Sequence, residues 1–541
     1  MGTKINSNYS DLITFTRASK GHALRPVSYG DELSEGSDFS SWDNNSTFPF
    51  DTFTAGSSSL TVANSTGKTS VATHPDSISL VSGRLYVVDV EFSITSGTFD
   101  FSIREQATAT VIAEGEDVGA GQTQQRITFV SDVTADVVIQ LTSRSGTANV
   151  TINNVSVKEV TFDQPDGTLT LFEHPNNIPR VEYDADGNRL GLLVEEARTN
   201  LITYSTMKDA NYTKTRAEIT DNQITSPDGT QNASKVNETT GASGPHYIYR
   251  QDVSYTSGND YTFSVFAKAD TATVVQLIGT STVFGSAVYA NFDIENGTIG
   301  SQGASVVDSS IQDVGNGWYR LSVTGTATAT VASTSSLIVG FTNNNTAATR
   351  SPSYVGDTAQ QFYVFGGQAE QGSFPTSYIK SNSGSTTTRS ADVASIPVAD
   401  FGFNTDVSTV VVEGNTTDGV VANQTSFLSV SDGTANNRFA VRAAYAQSWH
   451  TSGTSNGNVD YPNVGEDVSK IGYTLSSASQ AASKDGATVI EDTTLTMPTG
   501  LTTLYLGSYY NGAAYKVNGH IKSIKYYPRR LTNAQLQELT S

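Results

Sequence analysis

Cysteine is absent from the sequence and histidine is scarce, with six residues in 541. The absence of cysteine excludes disulfides, thiol nucleophiles, iron–sulfur clusters and cysteine-based zinc sites. The histidines are not spaced as the ligands of a metal cluster. We therefore expect no metal site and no cofactor, and a fold held together by hydrophobic cores or by oligomerisation.

Long apolar runs are missing as well. No stretch approaches the ~18 consecutive apolar residues that a transmembrane helix requires. The first residues, MGTKINSNYSDLITFTRAS, lack the apolar core of a signal peptide. We therefore expect a protein that is made and folded in a reducing cytosol.

Positive charge is in short supply, since 32 lysines and arginines face 53 acidic residues, for a net charge of −21. Such a surface repels phosphate, so nucleic acids and anionic membranes are poor partners. The chain is instead rich in Thr, Ser, Val, Gly, Asn and Tyr, which favour strands and tight turns over helices.

Alternating apolar residues recur throughout the chain. One example is 85–94, and 98–103 follows it after Ser96-Gly97, which indicates a hairpin. Similar stretches at short intervals, such as 260–268 and 317–323, predict antiparallel sandwiches. We therefore expect an all-β fold of tandem antiparallel β-sandwiches with little helix.

Two local elements have clear signals of their own. The segment 178–196 predicts a β-hairpin around an Asp-Gly-Asn turn. The C-terminus predicts one short helix, with Thr532 as N-cap and Gln535 as its capping-box partner. Leu536 and Leu539 would then pack this helix onto the last sandwich.

Four segments occur in a characteristic order: FTRAS (15–19), IPRVEYDADGNRLGLLVEEARTNL (178–201), FGGQAEQGSFPTSYIKS (365–381) and TTRSADV (387–393). This array resembles structural proteins of tailed bacteriophages, usually described as tail fibres. In that family the array accompanies a carbohydrate-binding-module-like jelly roll, and a concanavalin A or laminin G-like sandwich often follows. The resemblance implies the same folds here.

The resemblance also implies a division of the chain, in which an additional jelly roll is inserted after the first motif. Removing the last sandwich should leave the others folded. The predicted segments are an N-terminal anchoring arm (1–30), the inserted jelly roll (31–160), a hairpin connector (161–200), a second jelly roll (201–380), a polar linker (381–388) and a concanavalin A/laminin G-like domain (389–541).

The function implied by the resemblance is that of a tail fibre or receptor-binding protein of the virion, made in the host cytoplasm and attached to host surface glycans. Residues 1–30 would anchor it to other virion proteins, and a homotrimer is expected by analogy with phage fibres. A capsid decoration or head-fibre protein is an alternative. A bacterial polysaccharide-binding protein is a second one.

Two groups of candidate residues follow. Charged residues of the motifs could form a buried network at a domain or subunit junction, and the candidates are Arg17, Arg180, Glu195, Glu196 and Arg198. Aromatic residues near polar loops of the last domain could cover the apolar face of a sugar, and the candidates are Trp449, His450, Tyr445, Tyr509 and Tyr510. Trp42 and Trp318 are expected in cores.

Catalysis is not expected. Glycoside hydrolysis needs two carboxylates at a fixed separation, whereas adjacent residues of a strand, such as Glu195 and Glu196, point to opposite faces. The motifs of serine hydrolases, zinc proteases and phosphate-binding loops are absent. Calcium occurs in some sandwiches of the types implied, but no Asp-x-Asp-x-Asp run supports it here.

Overall fold

A computed structural model shows an all-β protein, which confirms the predicted fold class; every strand pairing it describes is antiparallel. Its sheets are joined by short turns, as the Thr, Gly and Asn content predicts. The structure describes residues 13–541 apart from 35–37, 65–68, 75–76, 120–121, 240–242, 343, 405, 417–424, 450–454, 463, 465–466, 478, 494–496 and 514.

The chain divides into two compact units. One contains Leu169–Ser541 together with the residues up to Arg25, and the other is Pro26–Thr168. The first unit is therefore discontinuous in sequence, and the second is inserted into it. Strands β1 (Thr14–Thr16) and β2 (Gly21–Glu32) precede the insertion or lead into it.

The inserted unit is built around one long antiparallel pair, β8 and β12, with several register shifts. Its core includes Trp42, as expected, and Phe101. Its strands are β3 (Asp43–Asn44), β4 (Thr52–Ala55), β5 (Leu60–Asn64), β6 (Ser70–Thr73), β7 (Ile78–Leu80), β8 (Leu85–Glu105), β9 (Val111–Glu114), β10 (Val118–Gly119), β11 (Gln124–Val130) and β12 (Ala135–Phe162).

The hairpin predicted at Ser96-Gly97 is wrong. β8 continues through these residues, and Gly97 takes a φ of 81° where its pairing with β12 shifts register. A glycine in a strand can mark a bulge as well as a turn. After the insertion come β13 (Thr168–His174), β14 (Val181–Tyr183), β15 (Arg189–Val194) and β16 (Arg198–Asn200).

The next segment forms a sandwich of two six-stranded sheets, ordered β17-β20-β27-β22-β23-β24 and β18-β19-β28-β21-β26-β25. A single helical turn, α1 (Ser281–Phe284), follows β22. The strands are β17 (Thr213–Thr215), β18 (Ala217–Ile224), β19 (Ala233–Glu238), β20 (Tyr247–Tyr255), β21 (Asp260–Ala269), β22 (Val274–Ile278), β23 (Tyr289–Asp293), β24 (Thr298–Gln302), β25 (Val306–Asp313), β26 (Trp318–Thr326), β27 (Val331–Phe341) and β28 (Gln361–Gln371).

The C-terminal sandwich has two seven-stranded sheets, ordered β1-β30-β39-β32-β33-β34-β35 and β14-β15-β40-β31-β36-β37-β38. Before it, β29 (Thr387–Arg389) pairs with β16 in a separate two-stranded sheet. The strands of the sandwich within 389–541 are β30 (Val393–Pro397), β31 (Val407–Thr416), β32 (Ser426–Ser431), β33 (Arg438–Arg442), β34 (Tyr445–Trp449), β35 (Ser455–Asp460), β36 (Ser469–Ser476), β37 (Gln480–Lys484), β38 (Ile490–Asp492), β39 (Thr503–Leu506) and β40 (Gly519–Tyr527).

Three strands of this sandwich come from outside residues 389–541. β1 pairs with β30 and places Phe15 in the core, while the predicted hairpin is present as β14 and β15 and pairs with β40. The described part of the N-terminal arm and the hairpin are therefore integral strands of the C-terminal sandwich.

The chain ends with α2 (Asn533–Thr540), which has the predicted capping box between Thr532 and Gln535. Leu536 is fully buried, whereas Leu539 is only half-buried and Thr540 takes the second buried position, four residues after Leu536. Residues four apart share one face of a helix, which explains why Thr540 and not Leu539 is buried together with Leu536. Neither helix of the described chain has the length and apolarity needed to cross a membrane.

The alternation of β21 determines what its two faces do. Phe263 and Val265 point into the core between the two sheets, whereas Phe266 points to the outer face. Most of that outer face is covered by the chain itself, because Leu24 and Leu171 pack against it.

Candidate functional site

A buried cluster of charges, the charge junction, lies where the two sandwiches of the first unit meet. Asp392 lies between two guanidinium groups, with Oδ1 3.3 Å from Arg17 Nη1 and Oδ2 2.5 Å from Arg180 Nη2. Arg180 Nη2 is also 2.8 Å from Glu195 Oε2. The structure thus brings together three of the five predicted junction residues, around an aspartate that the sequence did not single out.

Each of these charges belongs to a different part of the chain. Arg17 follows β1, Arg180 precedes β14, Glu195 follows β15 and Asp392 precedes β30. Ser377, beyond β28, joins them, because its Oγ is 2.5 Å from Arg180 Nη1 and its backbone N–H donates to Glu195 Oε1 at 2.8 Å. The charge junction therefore ties the N-terminal segment and the hairpin to both sandwiches.

Further cations complete the charge junction. Arg389 Nη1 lies 3.3 Å from Glu195 Oε2, and Lys516 Nζ donates to the backbone carbonyl of Asp392. Burial would raise the pKa of Glu195, but Arg389 and Arg180 outweigh it and hold this pKa well below its usual range. Burial lowers the pKa of Lys516 to about 8 against the attraction of Asp392.

The other two predicted junction residues lie at the edge of this buried network, where Arg389 Nη2 donates to the Glu196 carbonyl oxygen at 2.9 Å. Arg198 Nε is 2.6 Å from Glu196 Oε1, and the Glu196 side chain is 41% exposed. The Arg198 guanidinium lies over the Phe374 ring, 4.6 Å from its centroid. This pair borders the charge junction, and the Arg198 side chain is only 9% exposed.

Two buried histidines border the charge junction. The His22 ring lies 4.9 Å from that of Tyr378, with Nδ1 3.0 Å from the Tyr378 carbonyl oxygen, and the His22 carbonyl accepts a hydrogen bond from Arg180. Burial lowers the pKa of His22 to about 4. Burial, followed by the nearby arginines, lowers the pKa of His174 well below its usual value.

The aromatic residues predicted to bind glycan have mixed placements. Tyr509 is buried, and its ring lies 4.0 Å from Arg442 Cζ and 4.7 Å from Arg438 Cζ. This burial is at odds with the prediction that Tyr509 covers a sugar, because the guanidinium groups already pack on its ring. Tyr445 and Tyr510 are half-buried, and Arg442 Nη1 donates to Tyr445 Oη at 2.6 Å.

Trp449 ends β34, where it pairs in register with Arg438. The Trp449 side chain and all of His450 lie outside the described residues. Glycan contacts by Tyr445, Tyr510 and these two residues therefore stay a prediction.

A cleft on the other sandwich has the properties of a ligand site, and we call it the Trp318 cleft. It has a volume of about 410 Å³ and lies where β18, β21 and β25 end and β26 and β28 begin. Its size falls within the range of about 300–1,000 Å³ typical of ligand pockets. Its lining includes Leu169, Thr225, Lys268, Asp270, Asn316, Trp318 and Tyr363.

Strand register brings three of these side chains together. Lys268 of β21 pairs with Trp318 of β26 on one side and with Tyr363 of β28 on the other. Directly paired residues of antiparallel strands point to the same face of the sheet. The lysine therefore lies in a row between two aromatic residues, on the outer face of the sheet.

The walls of the Trp318 cleft are fixed by packing. Trp318 is buried, as expected for a core residue, and its Nε1 donates to the Thr225 carbonyl oxygen at 3.2 Å. Gly315 has a φ of 85°, and a Cβ there would lie 3.2 Å from Leu169 Cδ2. A glycine at this turn therefore allows Leu169 to close one side of the cleft.

Polar groups line the rim of the Trp318 cleft. Lys268 Nζ donates to the Asn316 carbonyl oxygen at 2.6 Å, and Asp270 Oδ2 accepts from Gln361 Nε2 at 2.5 Å. Burial raises the pKa of Tyr363, and Asp270, which is hydrogen-bonded to its hydroxyl, adds to the shift. The cleft thus combines an aromatic wall with a cation, a carboxylate and backbone carbonyls.

The sequence did not lead us to predict this site, and Trp318 was expected only as a core residue. The row of Lys268, Trp318 and Tyr363 depends on the pairing of strands that are distant in sequence. The signal available was Val-Gly-Asn-Gly (314–317), a glycine-rich turn directly before a tryptophan. Among the described residues, no group of three or more His, Cys, Asp or Glu side chains is placed to hold a metal ion.

No family model and no curated protein matches the sequence. Among solved structures, the CBM40 of the Ruminococcus gnavus IT-sialidase, bound to α2,3-sialyllactose, has 19% identity over 26% of this chain and 86% of its own, at a TM-score of 0.23. The CBM22-1–CBM22-2 tandem of Paenibacillus barcinonensis Xyn10C has 11% identity over 63% of this chain and 98% of its own, at a TM-score of 0.19. The Trypanosoma rangeli sialidase has 9% identity over 95% of this chain and 98% of its own, at a TM-score of 0.22. Scores this low leave the function to be inferred from the chain's own geometry.

The first prediction concerns the central anion of the charge junction. Asp392→Asn removes the described carboxylate partner of Arg17 and one of the two of Arg180, which should lower the free energy of unfolding by about 3–5 kcal/mol. Urea denaturation measures this loss. Asp400→Asn, the same change at an exposed aspartate, is the control. Equal stability of the two variants would contradict the role assigned to Asp392.

The second prediction concerns the stability of the fold at acid pH. Because the pKa of His22 is about 4 in the folded protein and about 6.5 in an unfolded chain, the unfolded state takes up a proton first as the pH falls. Glu173 raises the pKa of His22 and Lys380 lowers it, but burial dominates. This histidine should therefore cost stability progressively from pH 6.5 to 4, by about 1.4 kcal/mol per pH unit.

The measurement is the difference in free energy of unfolding between the wild type and His22→Phe at several pH values in this range. Loss of the His22 hydrogen bond changes the free energy of unfolding by the same amount at every pH. Protonation of His22 makes the difference between the two proteins change with pH. A difference that does not change with pH would refute the prediction.

Proposed function

We propose that this protein is a non-catalytic attachment protein of a tailed-phage particle, and that it binds host surface glycans in the Trp318 cleft. The cleft itself carries the proposal. It offers the half-buried Tyr363 ring, which lies beside a lysine, an aspartate and backbone carbonyls and is supported by the buried Trp318. A pyranose has an apolar face and a rim of hydroxyl groups, and such a cleft is complementary to both.

The charge junction supports the phage part of the proposal. The residues that meet there belong to the motifs on which the family resemblance rests, namely 15–19, 178–201, 365–381 and 387–393. Motifs far apart in sequence have a common physical reason to occur together if their residues share one buried network. The resemblance therefore concerns residues that the fold requires.

Much of the described part of the N-terminal arm is buried within this chain. Phe15 and Arg17 are buried in this chain's own structure, and so are Leu24 and Arg25. These side chains are not available to another virion protein, because they are already packed inside this chain. Residues 1–12 lie outside the described part. We propose that virion contacts use these residues or other exposed surfaces of the chain, in a homotrimer.

The composition of the Trp318 cleft also favours binding over hydrolysis. Asp270 is the one carboxylate among the described residues that line it. Glycoside hydrolysis with two carboxylates needs a second one across the bound sugar. We therefore propose that bound glycan is released unchanged, and release of reducing ends from host polysaccharide would contradict this.

The third prediction tests the Trp318 cleft directly. Tyr363→Ala removes a half-buried ring from its wall without touching the main core, and should weaken glycan binding at least tenfold, equivalent to about 1.4 kcal/mol. A printed glycan array followed by calorimetry on the bound members measures the loss. Tyr249→Ala, at a half-buried tyrosine on the opposite sheet of the same sandwich, is the control. Equal binding by both variants would exclude this site.

The fourth prediction concerns position on the particle. An antibody against 389–541 should label the tail tip or baseplate of the parent phage in electron micrographs. Label over the head would instead favour a decoration or head-fibre protein, and absence of label from purified particles would overturn the virion assignment.

A further inference from the structure

We infer that the Trp318 cleft selects glycans that carry an anionic substituent, and that the ammonium group of Lys268 is what recognises it. The inference deepens the proposed function and rests on it, since it names the class of glycan that the cleft would take. It is carried by the position and bonding of one lysine.

The position of Lys268 is unusual for a lysine on a sheet. It is half-buried and lies in register between Trp318 and Tyr363. Lysines at strand surfaces commonly extend into water, with their stems on apolar neighbours. Here the half-buried Tyr363 and the buried Trp318 lie on either side, and the ammonium group is held at the rim of the cleft by the Asn316 carbonyl oxygen.

The bonding of Lys268 leaves it open to a ligand. Its Nζ donates one described hydrogen bond, to the Asn316 carbonyl oxygen at 2.6 Å, and forms no ion pair with any residue in the described part of the chain. An ammonium group has three N–H donors. Two of them therefore have no acceptor from the described protein and are open to solvent or to a ligand.

The nearby carboxylate does not neutralise this cation. Asp270 accepts hydrogen bonds from Gln361 and Tyr363, and it is exposed at the outer edge of the cleft. Its charge is thus stabilised by these donors and by solvent, and no described ion pair joins it to Lys268. A ligand anion that enters the cleft meets the lysine without displacing a salt bridge.

The net charge of the whole chain is opposite in sign to the charge of Lys268. A net charge of −21 repels anions at long range. At physiological ionic strength such repulsion is screened beyond about 8 Å, so groups in contact decide the outcome. The ammonium group of Lys268, at the rim of the cleft beside Tyr363, is therefore a local exception to the acidic net charge, and an acidic sugar or a sulfated or phosphorylated one would be drawn to it.

The experiment compares matched glycans and matched variants of the full-length protein. The array carries acidic glycans beside their neutral counterparts, such as oligogalacturonates beside their methyl esters and sulfated glycans beside desulfated ones. Wild type is compared with Lys268→Met, which keeps the apolar stem, with Lys268→Arg, which keeps the charge, and with Lys525→Met, at an exposed lysine of the C-terminal sandwich. The thermal midpoint of each variant reports its folding.

We expect wild type to prefer acidic members at least tenfold, Lys268→Met to lose this preference, and Lys268→Arg and Lys525→Met to keep it. Binding to neutral members that Lys268→Met leaves unchanged but Tyr363→Ala removes would overturn the inference while the proposed function stands. Binding that neither Tyr363→Ala nor Lys268→Met alters would remove the Trp318 cleft from both proposals.

Discussion

The arrangement of this molecule depends on one buried anion. Asp392 is fully buried between the guanidinium groups of Arg17 and Arg180, and its carboxylate also accepts the backbone N–H of Glu195. Buried charges are costly unless they are paired and hydrogen-bonded, so the segments that bear them must meet in one geometry. Hydrophobic contact alone would tolerate sliding between the two sandwiches, whereas this network does not.

The charge junction also changes what counts as a domain. A cut before residue 389 would remove Asp392 and Arg389 and leave Arg17, Arg180 and Glu195 in the other fragment. It would also separate β1, β14 and β15 from the sheets that they complete. The expectation that the first sandwiches survive without the last one therefore conflicts with the contacts, since the cut divides a buried network and two sheets.

Sequence reasoning succeeded where the signal is local. The hairpin at 181–194 and the capping box of Thr532 and Gln535 each depend on a few adjacent residues, and both are present. It failed at Ser96-Gly97, because a glycine permits a bulge as readily as a turn. The row of Lys268, Trp318 and Tyr363 could not be predicted, since a one-residue change in the register of any of three distant strands would turn one member to the other face.

The Trp318 cleft and the charge junction are linked through the chain that covers the outer face of β21. Leu24 and Leu171 pack there beside Tyr378, which also contacts His22, and Leu169 closes the cleft at the end of the same cover. The cover is held by the junction, because Arg180 donates to the His22 carbonyl oxygen and Arg17 to that of His174. Loosening of the junction, by substitution or by acid, would therefore move a wall of the cleft as well. Only variants within the cleft, made in an intact junction, can separate recognition of the ligand from maintenance of the site.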